Sequence, residues 1–235
     1  MNNCMRSPSP AARDERTMYM RPLPADLISL GSPDGRKLFA EALLDGTMEG
    51  YFKLAEQFHT QADPAYCGLG SLVCALNALR IDPIRRWKGS WRWFSEELLD
   101  CCKSLEDIRR FGLTLDEVAC LARCSAANVT ALRPPQADIE LFREHLNEAV
   151  ETDDGPVLIV NYSRGAVGQS GGGHFSPIGG YHAATAQVLV LDTARFKYPP
   201  HWMPVDVLFR AMQEQDPETH RPRGWLLLQR PPAEA

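Results

Sequence analysis

The sequence predicts an α+β fold in which a helical lobe is followed by an antiparallel β lobe, with a functional cleft between them. Helix-spaced apolar residues dominate up to Val150, short aliphatic runs follow Pro156, and no Pro/Gly linker separates two independent domains. A chain of 235 residues that is 44% hydrophobic can bury one substantial core.

Residues 1–20, with Pro8 and Pro10 among small polar residues, read as a disordered tail, and residues 21–232 as a single domain. Ser7, Ser9, Arg6, Arg13 and Arg16 weakly resemble an organelle transit peptide, but Asp14 and Glu15 count against it, and no secretory apolar core is present. Residues 37–44 carry Leu38, Leu43 and Leu44 at helical spacing, and Gly46 stops them. Residues 67–79 place Leu69, Leu72, Val73, Leu76 and Leu79 on one stripe, which predicts a central helix. Trp87, Trp91 and Trp93 read as a loop, and Ser95 with Glu96 and Glu97 as the start of a helix running to about residue 102. Thr114 and Glu117 form a capping box for a helix over 115–123. A short strand over 128–132 and an amphipathic helix over 137–150 follow. Strands are predicted over 157–160, 174–181, 187–191 and 225–229.

A net charge of −5 argues against a nucleic-acid partner, because phosphate contacts call for clustered Lys and Arg. No apolar run approaches the ~20 residues a membrane span needs, so the chain reads as soluble, and its cysteines, read as reduced intracellular thiols, make the compartment cytoplasmic. Seven cysteines leave at least one thiol free, and in a chain this long they read as reduced thiols rather than a disulfide framework.

The chemistry centres on Tyr66-Cys67-Gly68-Leu69, which puts a thiol at a helix N-terminus, where unpaired N–H groups and the helix dipole favour thiolate. Gly171-Gly172-Gly173-His174 supplies a histidine with an open approach. A hairpin between 174–181 and 187–192 would return Asp192 to its side. The carboxylate could then fix the ring while the other nitrogen takes the thiol proton, which lowers the Cys67 pKa. Thiol, imidazole and carboxylate in that order are the components of a papain-type cysteine enzyme. Gln61, six residues before Cys67, can join the Cys67 N–H in holding an oxyanion. Cys74, mid-helix beside Val73, reads as packing. Cys120 and Cys124 share a helix face, and Cys101-Cys102 are adjacent. Metal binding by these four is a weaker reading than packing, since adjacent helical residues point about 100° apart and no CxxC pair exists.

Four stretches, 61–69, 87–94, 173–181 and 192–202, resemble the N-terminal catalytic domain of phytochelatin synthases, and the resemblance runs over residues 21–231. It is closer to the plant-type members, including the Cys101-Cys102 and Cys120/Cys124 positions. The resemblance implies a papain-like fold and transfer of γ-glutamylcysteine from glutathione to a second glutathione or a growing phytochelatin. Cys67 would attack, His174 would protonate departing glycine, Asp192 would orient His174 and Gln61 would help the oxyanion. It further implies that Arg223, with Gly173 beside it, holds the donor's carboxylate, and that Arg195 and Asp216 shape the acceptor site. No organic cofactor is implied. Heavy-metal ions such as Cd2+ and Zn2+ enter as activators, mainly as glutathione thiolates, and a homodimer is left open. Plant-type members carry a cysteine-rich C-terminal domain, which this chain, stopping at Ala235, is read as lacking. Two alternatives stand beside the transferase. One is a hydrolase that deglycinates glutathione or its conjugates with the same triad; the other is a non-catalytic metal-sequestering thiol protein.

Overall fold

A computed structural model describes residues 18–231; most of the predicted tail, residues 1–17, lies outside the described residues. The first elements are β1 (Ile28–Ser29) and α1 (Pro33–Leu44). The helix begins earlier than its apolar spacing indicated, because Ser32 accepts from the Gly35 N–H and Pro33 occupies the first turn. α2 (Glu49–Ala55), which the sequence reading did not anticipate, leads to α3 (Cys67–Ala78), the predicted central helix. On α3, Leu69, Leu72 and Leu76 are fully buried, so truncating any of them to alanine costs about 2–5 kcal/mol.

Two expectations fail in the next segment. The tryptophan stretch is a small hairpin of β2 (Arg86–Lys88) and β3 (Trp91–Arg92), not a loop. Ser95 makes no capping hydrogen bond, and only one 3-10 turn follows it. Glu96 is turned inward, accepting from the Ala62 N–H at 2.9 Å, so it is committed to tertiary contact instead of a helix start. The helix that does form here is α4 (Leu105–Phe111), capped by Ser104 onto the Asp107 N–H. α5 (Leu115–Cys124) carries the predicted capping box, with both the Thr114 and the Glu117 side chains bonded.

The remaining elements are β4 (Asn128–Leu132), α6 (Ile139–Val150), β5 (Val157–Ser163), β6 (Gly173–His182), β7 (Gln187–Val190), β8 (His201–Pro204), α7 (Val205–Gln213) and β9 (Gly224–Gln229). β8 and α7 were not anticipated. Seven strands form one antiparallel sheet in the order β1-β8-β7-β6-β5-β9-β4.

The α+β class holds, but helices cover both faces of this sheet. Along β5, Val157 and Ile159 pack with Leu69, Leu72 and Leu76 of α3, while Leu158, Val160 and Tyr162 pack with Phe142 and Leu208 of α6 and α7. The uninterrupted apolar run of β5 follows from that double coverage. A register shift between Ile178 and Gly180 lets the Leu191 N–H reach the Pro177 carbonyl and aims Asp192 back along β6. No helix among the described residues is long and apolar enough to cross a membrane.

Candidate active site

Cys67 is the first residue of α3, and no side chain caps that end of the helix. Its half-buried thiol therefore meets the positive end of the helix without a competing side-chain acceptor. Burial pushes the thiol up, but the charge and hydrogen bond of His174, the Phe175 N–H and the Arg164 guanidinium outweigh it, so Cys67 lies below the ordinary thiol value.

His174 opens β6 and is 3% exposed. Its Nε2 lies 2.8 Å from Asp192 Oδ1, just beyond the end of β7, as the hairpin spacing predicted. That contact leaves Nδ1 as the ring nitrogen for Cys67. Burial and the Arg164 charge push the His174 ring down, yet Asp192 and the Cys67 thiolate push harder, and the net direction is upward. Burial would raise the Asp192 carboxyl, but His174 and Arg164 hold it well below the usual carboxylate range. The Ala194 N–H also donates to Asp192 Oδ1, at 2.9 Å. Raised imidazole and lowered thiol both shift this couple toward a thiolate–imidazolium pair, the form that can attack a carbonyl and then protonate a leaving amine.

Arg164 was missed by sequence reasoning. It is 3% exposed, its Nη2 donates to both Asp192 oxygens at 3.0 and 2.8 Å, and it lies 2.9 Å from His174 Nε2. An imidazolium Nε2–H can only donate, so its bond runs to Asp192 while Arg164 serves the same carboxylate. Gln169 accepts from Arg164 Nη1, and the Gln169 amide faces the buried His201 at 3.3 Å, which extends the support inward. The loop from Arg164 closes where its N–H donates to the Gly172 carbonyl. A lone arginine after β5 carries no local signal of this role.

Gln61 is 3% exposed and lies beside α3, where Gly70 leaves room: a Cβ there would come within 3.2 Å of the Gln61 Cβ. Its amide donates to the Asp63 and Pro64 carbonyls at 2.8 and 3.1 Å, and its oxygen accepts from the Thr193 hydroxyl at 3.1 Å. The Gln61 N–H also bonds the Thr193 carbonyl, tying this residue to the neighbour of Asp192.

A cavity of about 320 Å³ opens beside Cys67, lined by Asn161, Gly173, Phe175, Asp216 and Arg223. Arg223 is 5% exposed and bonds Asp216 at 3.1 Å, while its buried Nε has no partner among the described residues. A buried cation with an unused donor suits an anionic ligand group. Gly173 is required for this placement, since any Cβ would collide with the Arg223 guanidinium. Asn161, also missed from sequence, bonds the His174 carbonyl at 3.3 Å. Arg195 and Asp216 have different partners: Asp216 pairs with Arg223, and exposed Arg195 stacks on Phe58 at 5.1 Å.

The four remaining cysteines named above do cluster. Cys102 and Cys120 are joined as a disulfide, unlike the expected reduced thiols, and although the sulfurs of Cys101, Cys102 and Cys124 lie within 4.8 Å of one another, that bond leaves only Cys101 and Cys124 with a thiol to offer. The objection drawn from helical geometry does not apply, because residues 101–102 lie in a bend between elements.

A family model described as phytochelatin synthase matches residues 18–225. The chain is 50% identical over 212 residues to glutathione gamma-glutamylcysteinyltransferase 3 of Lotus japonicus, covering 90% of this chain and 44% of that protein. It is 49% identical to glutathione gamma-glutamylcysteinyltransferase 1 of Arabidopsis thaliana, covering 92% and 44%. The glutathione gamma-glutamylcysteinyltransferase of Schizosaccharomyces pombe is 40% identical, with 92% and 52% covered. The chain thus spans about half the length of the curated relatives it matches.

Proposed function

The chain belongs to the phytochelatin synthase family, and on that premise we propose that it transfers γ-glutamylcysteine from glutathione to a second glutathione or a growing phytochelatin, through a thioester on Cys67. The observation that carries the reading is the buried His174–Asp192 contact of 2.8 Å behind a thiol held below its ordinary pKa.

The Cys67 thiolate adds to the carbonyl of the Cys–Gly amide. The Cys67 N–H and the Gln61 amide are the proposed oxyanion donors, the latter by exchanging one of its two loop carbonyl partners. The tetrahedral adduct collapses as His174 passes its Nδ1 proton to the departing glycine nitrogen, leaving γ-Glu-Cys as a thioester. The α-amine of the acceptor then attacks, His174 takes its proton, and the thiolate is regenerated. Asp192 holds the ring in one orientation through both steps, and Arg164 positions Asp192. Arg223, with its unpartnered Nε, receives the donor's carboxylate in the cavity beside Cys67.

The antiparallel sheet meeting a helix whose first residue is the nucleophile supports a papain-like arrangement. Heavy-metal ions enter as substrate, in the form of glutathione thiolates, with Arg195 at the acceptor side. Among the described residues Cys67, Cys74, Cys101 and Cys124 are free thiols beside the single Cys102–Cys120 disulfide, and that predominance of free thiols supports a cytoplasmic reading.

Mass spectrometry of the products from glutathione and Cd2+ tests the proposal. Oligomers of γ-Glu-Cys ending in glycine are expected. Release of γ-Glu-Cys and glycine alone would replace transfer by hydrolysis, and no glycine release at all would remove the enzyme.

A further inference from the structure

A second constellation lies on α3 two turns below the nucleophile, about 10 Å along the helix axis. Cys74, 1% exposed, lies with its sulfur 3.4 Å from His59 Nδ1 and 3.3 Å from the Gln57 carbonyl oxygen. The third side of the triangle, His59 Nδ1 to the Gln57 oxygen, is 3.4 Å. The other ring nitrogen of His59 faces Glu96 Oε1 at 3.4 Å, and the second oxygen of Glu96 is fixed by the Ala62 N–H at 2.9 Å.

We propose that Cys74 Sγ, His59 Nδ1 and the Gln57 carbonyl form a site for a d10 divalent cation, Zn2+ or Cd2+, with Glu96 as the carboxylate that orients His59. For zinc, ligand bonds of about 2.0–2.3 Å at tetrahedral angles place ligand atoms about 3.3–3.6 Å from each other, and the three observed separations fall in or at the edge of that range. Thiolate, imidazole and carbonyl are the donor set of a borderline cation and a poor one for magnesium or calcium. A carboxylate on the far nitrogen of a ligating histidine fixes its orientation and raises its basicity, which is the arrangement Glu96 and His59 already hold. Binding releases the Cys74 thiol proton to solvent and seats the metal off the S···O line, between the three ligand atoms, so their spacing is kept.

Access comes from a cavity of about 390 Å³ lined by Gln57, His59, Asn77, Trp87, Trp93 and Glu96. The His59 side chain, which lines it, is 35% exposed, and the buried Cys74 sulfur lies 3.4 Å from its Nδ1. A fourth position filled by water or an exogenous thiolate completes the tetrahedron. This site is distinct from the Cys101, Cys102 and Cys124 cluster and from Cys67, and it does not depend on the transferase reading.

Equilibrium dialysis with Cd2+ alone in thiol-free buffer, together with 113Cd NMR, tests it. The His59→Ala chain should bind one equivalent fewer than the unaltered chain and lack a resonance of mixed sulfur, nitrogen and oxygen ligation. Glu96→Gln should weaken that equivalent about 10–100-fold. Because His59 is partly exposed, its truncation spares the core, while Cys74→Ala serves as the independent loss of the sulfur. Equal stoichiometry and affinity in the unaltered and His59→Ala chains would overturn the site, as would a signal that depends on Cys101 and Cys124 but not on His59.

Discussion

Arg164 Nη2 lies 2.9 Å from His174 Nε2 and donates to both oxygens of Asp192, so the carboxylate behind the imidazole is shared between two cations. With both groups buried, the guanidinium fixes Asp192 and adds positive potential at the thiolate. Arg164 is thus a positioning residue that never needs to touch substrate.

Replacing it separates positioning from binding. Arg164→Met is expected to lower kcat about 100-fold through misalignment of His174, with KM nearly unchanged. Breaking a buried pair also costs about 3–5 kcal/mol of stability, readable in urea unfolding. An unchanged kcat in the folded variant would remove Arg164 from the machinery.

The thiolate–imidazolium pair has a pH signature. Cys67 is held below, and His174 above, their ordinary values. Alkylation of Cys67 by iodoacetamide should therefore inflect below the free-thiol value of about 8.5. In His174→Ala the main lowering influence is gone while burial persists, so the inflection should move to higher pH. Peptide mapping at each pH gives the profile, and faster labelling of Cys101 or Cys124 than of Cys67 near neutral pH would contradict the assignment.

Asp192 sets an acid limit on stability. Its folded carboxyl lies below the unfolded value of about 3.9, so its contribution is present above that pH and is lost as the pH falls toward the folded value. Asp192→Asn should accordingly be less stable than the unaltered chain at pH 7, and the gap should narrow below about pH 4. Chemical denaturation at several pH values measures both, and a gap that does not change with pH would contradict it.

Gly173 and Arg223 should act on donor binding. Gly173→Ala pushes the guanidinium off its place beside Asp216. KM for glutathione is expected to rise about 10-fold, the order of one charge-assisted hydrogen bond, while Cys67 alkylation stays at its unaltered rate. A fall in kcat at constant KM would place this pair elsewhere in the mechanism.

Gln61→Ala distinguishes oxyanion donor from loop anchor. Loss of a donor costs about 10²–10³ in kcat without changing the alkylation profile of Cys67. An anchor alone would lower stability and leave the kcat of the folded protein intact.

The parts of the site legible in the sequence were those set by local rules. Cys67 was readable because the apolar stripe from Leu69 to Leu79 marks where the helix begins, and His174–Asp192 because two strands joined by a short link must pair. Arg164 was not readable, since its contacts depend on a loop that returns at Gly172 and on a bulge that redirects Asp192. Ser95 misled for a related reason. The acids that follow it resemble a helix start, but Glu96 is bound to His59 and the Ala62 N–H, and the capping geometry belongs to Ser104. β8 and α7 lie among Pro199, Pro200 and Pro204, residues that donate no backbone hydrogen bond, and the strand takes its pairing from β7, a tertiary partner with no local signal. Cys74 did pack in the core as expected, and only the fold brought His59 and the Gln57 carbonyl to its sulfur.

The central claim is a covalent γ-glutamylcysteinyl group on one sulfur. Acid-quenched mixing with glutathione and Cd2+, followed by intact-protein and peptide mass spectrometry, reads it directly. The account predicts an increase equal to glutathione minus glycine, on the peptide containing Cys67 and absent from Cys67→Ala. Release of glycine with no such adduct, or with the adduct on another cysteine, would contradict it.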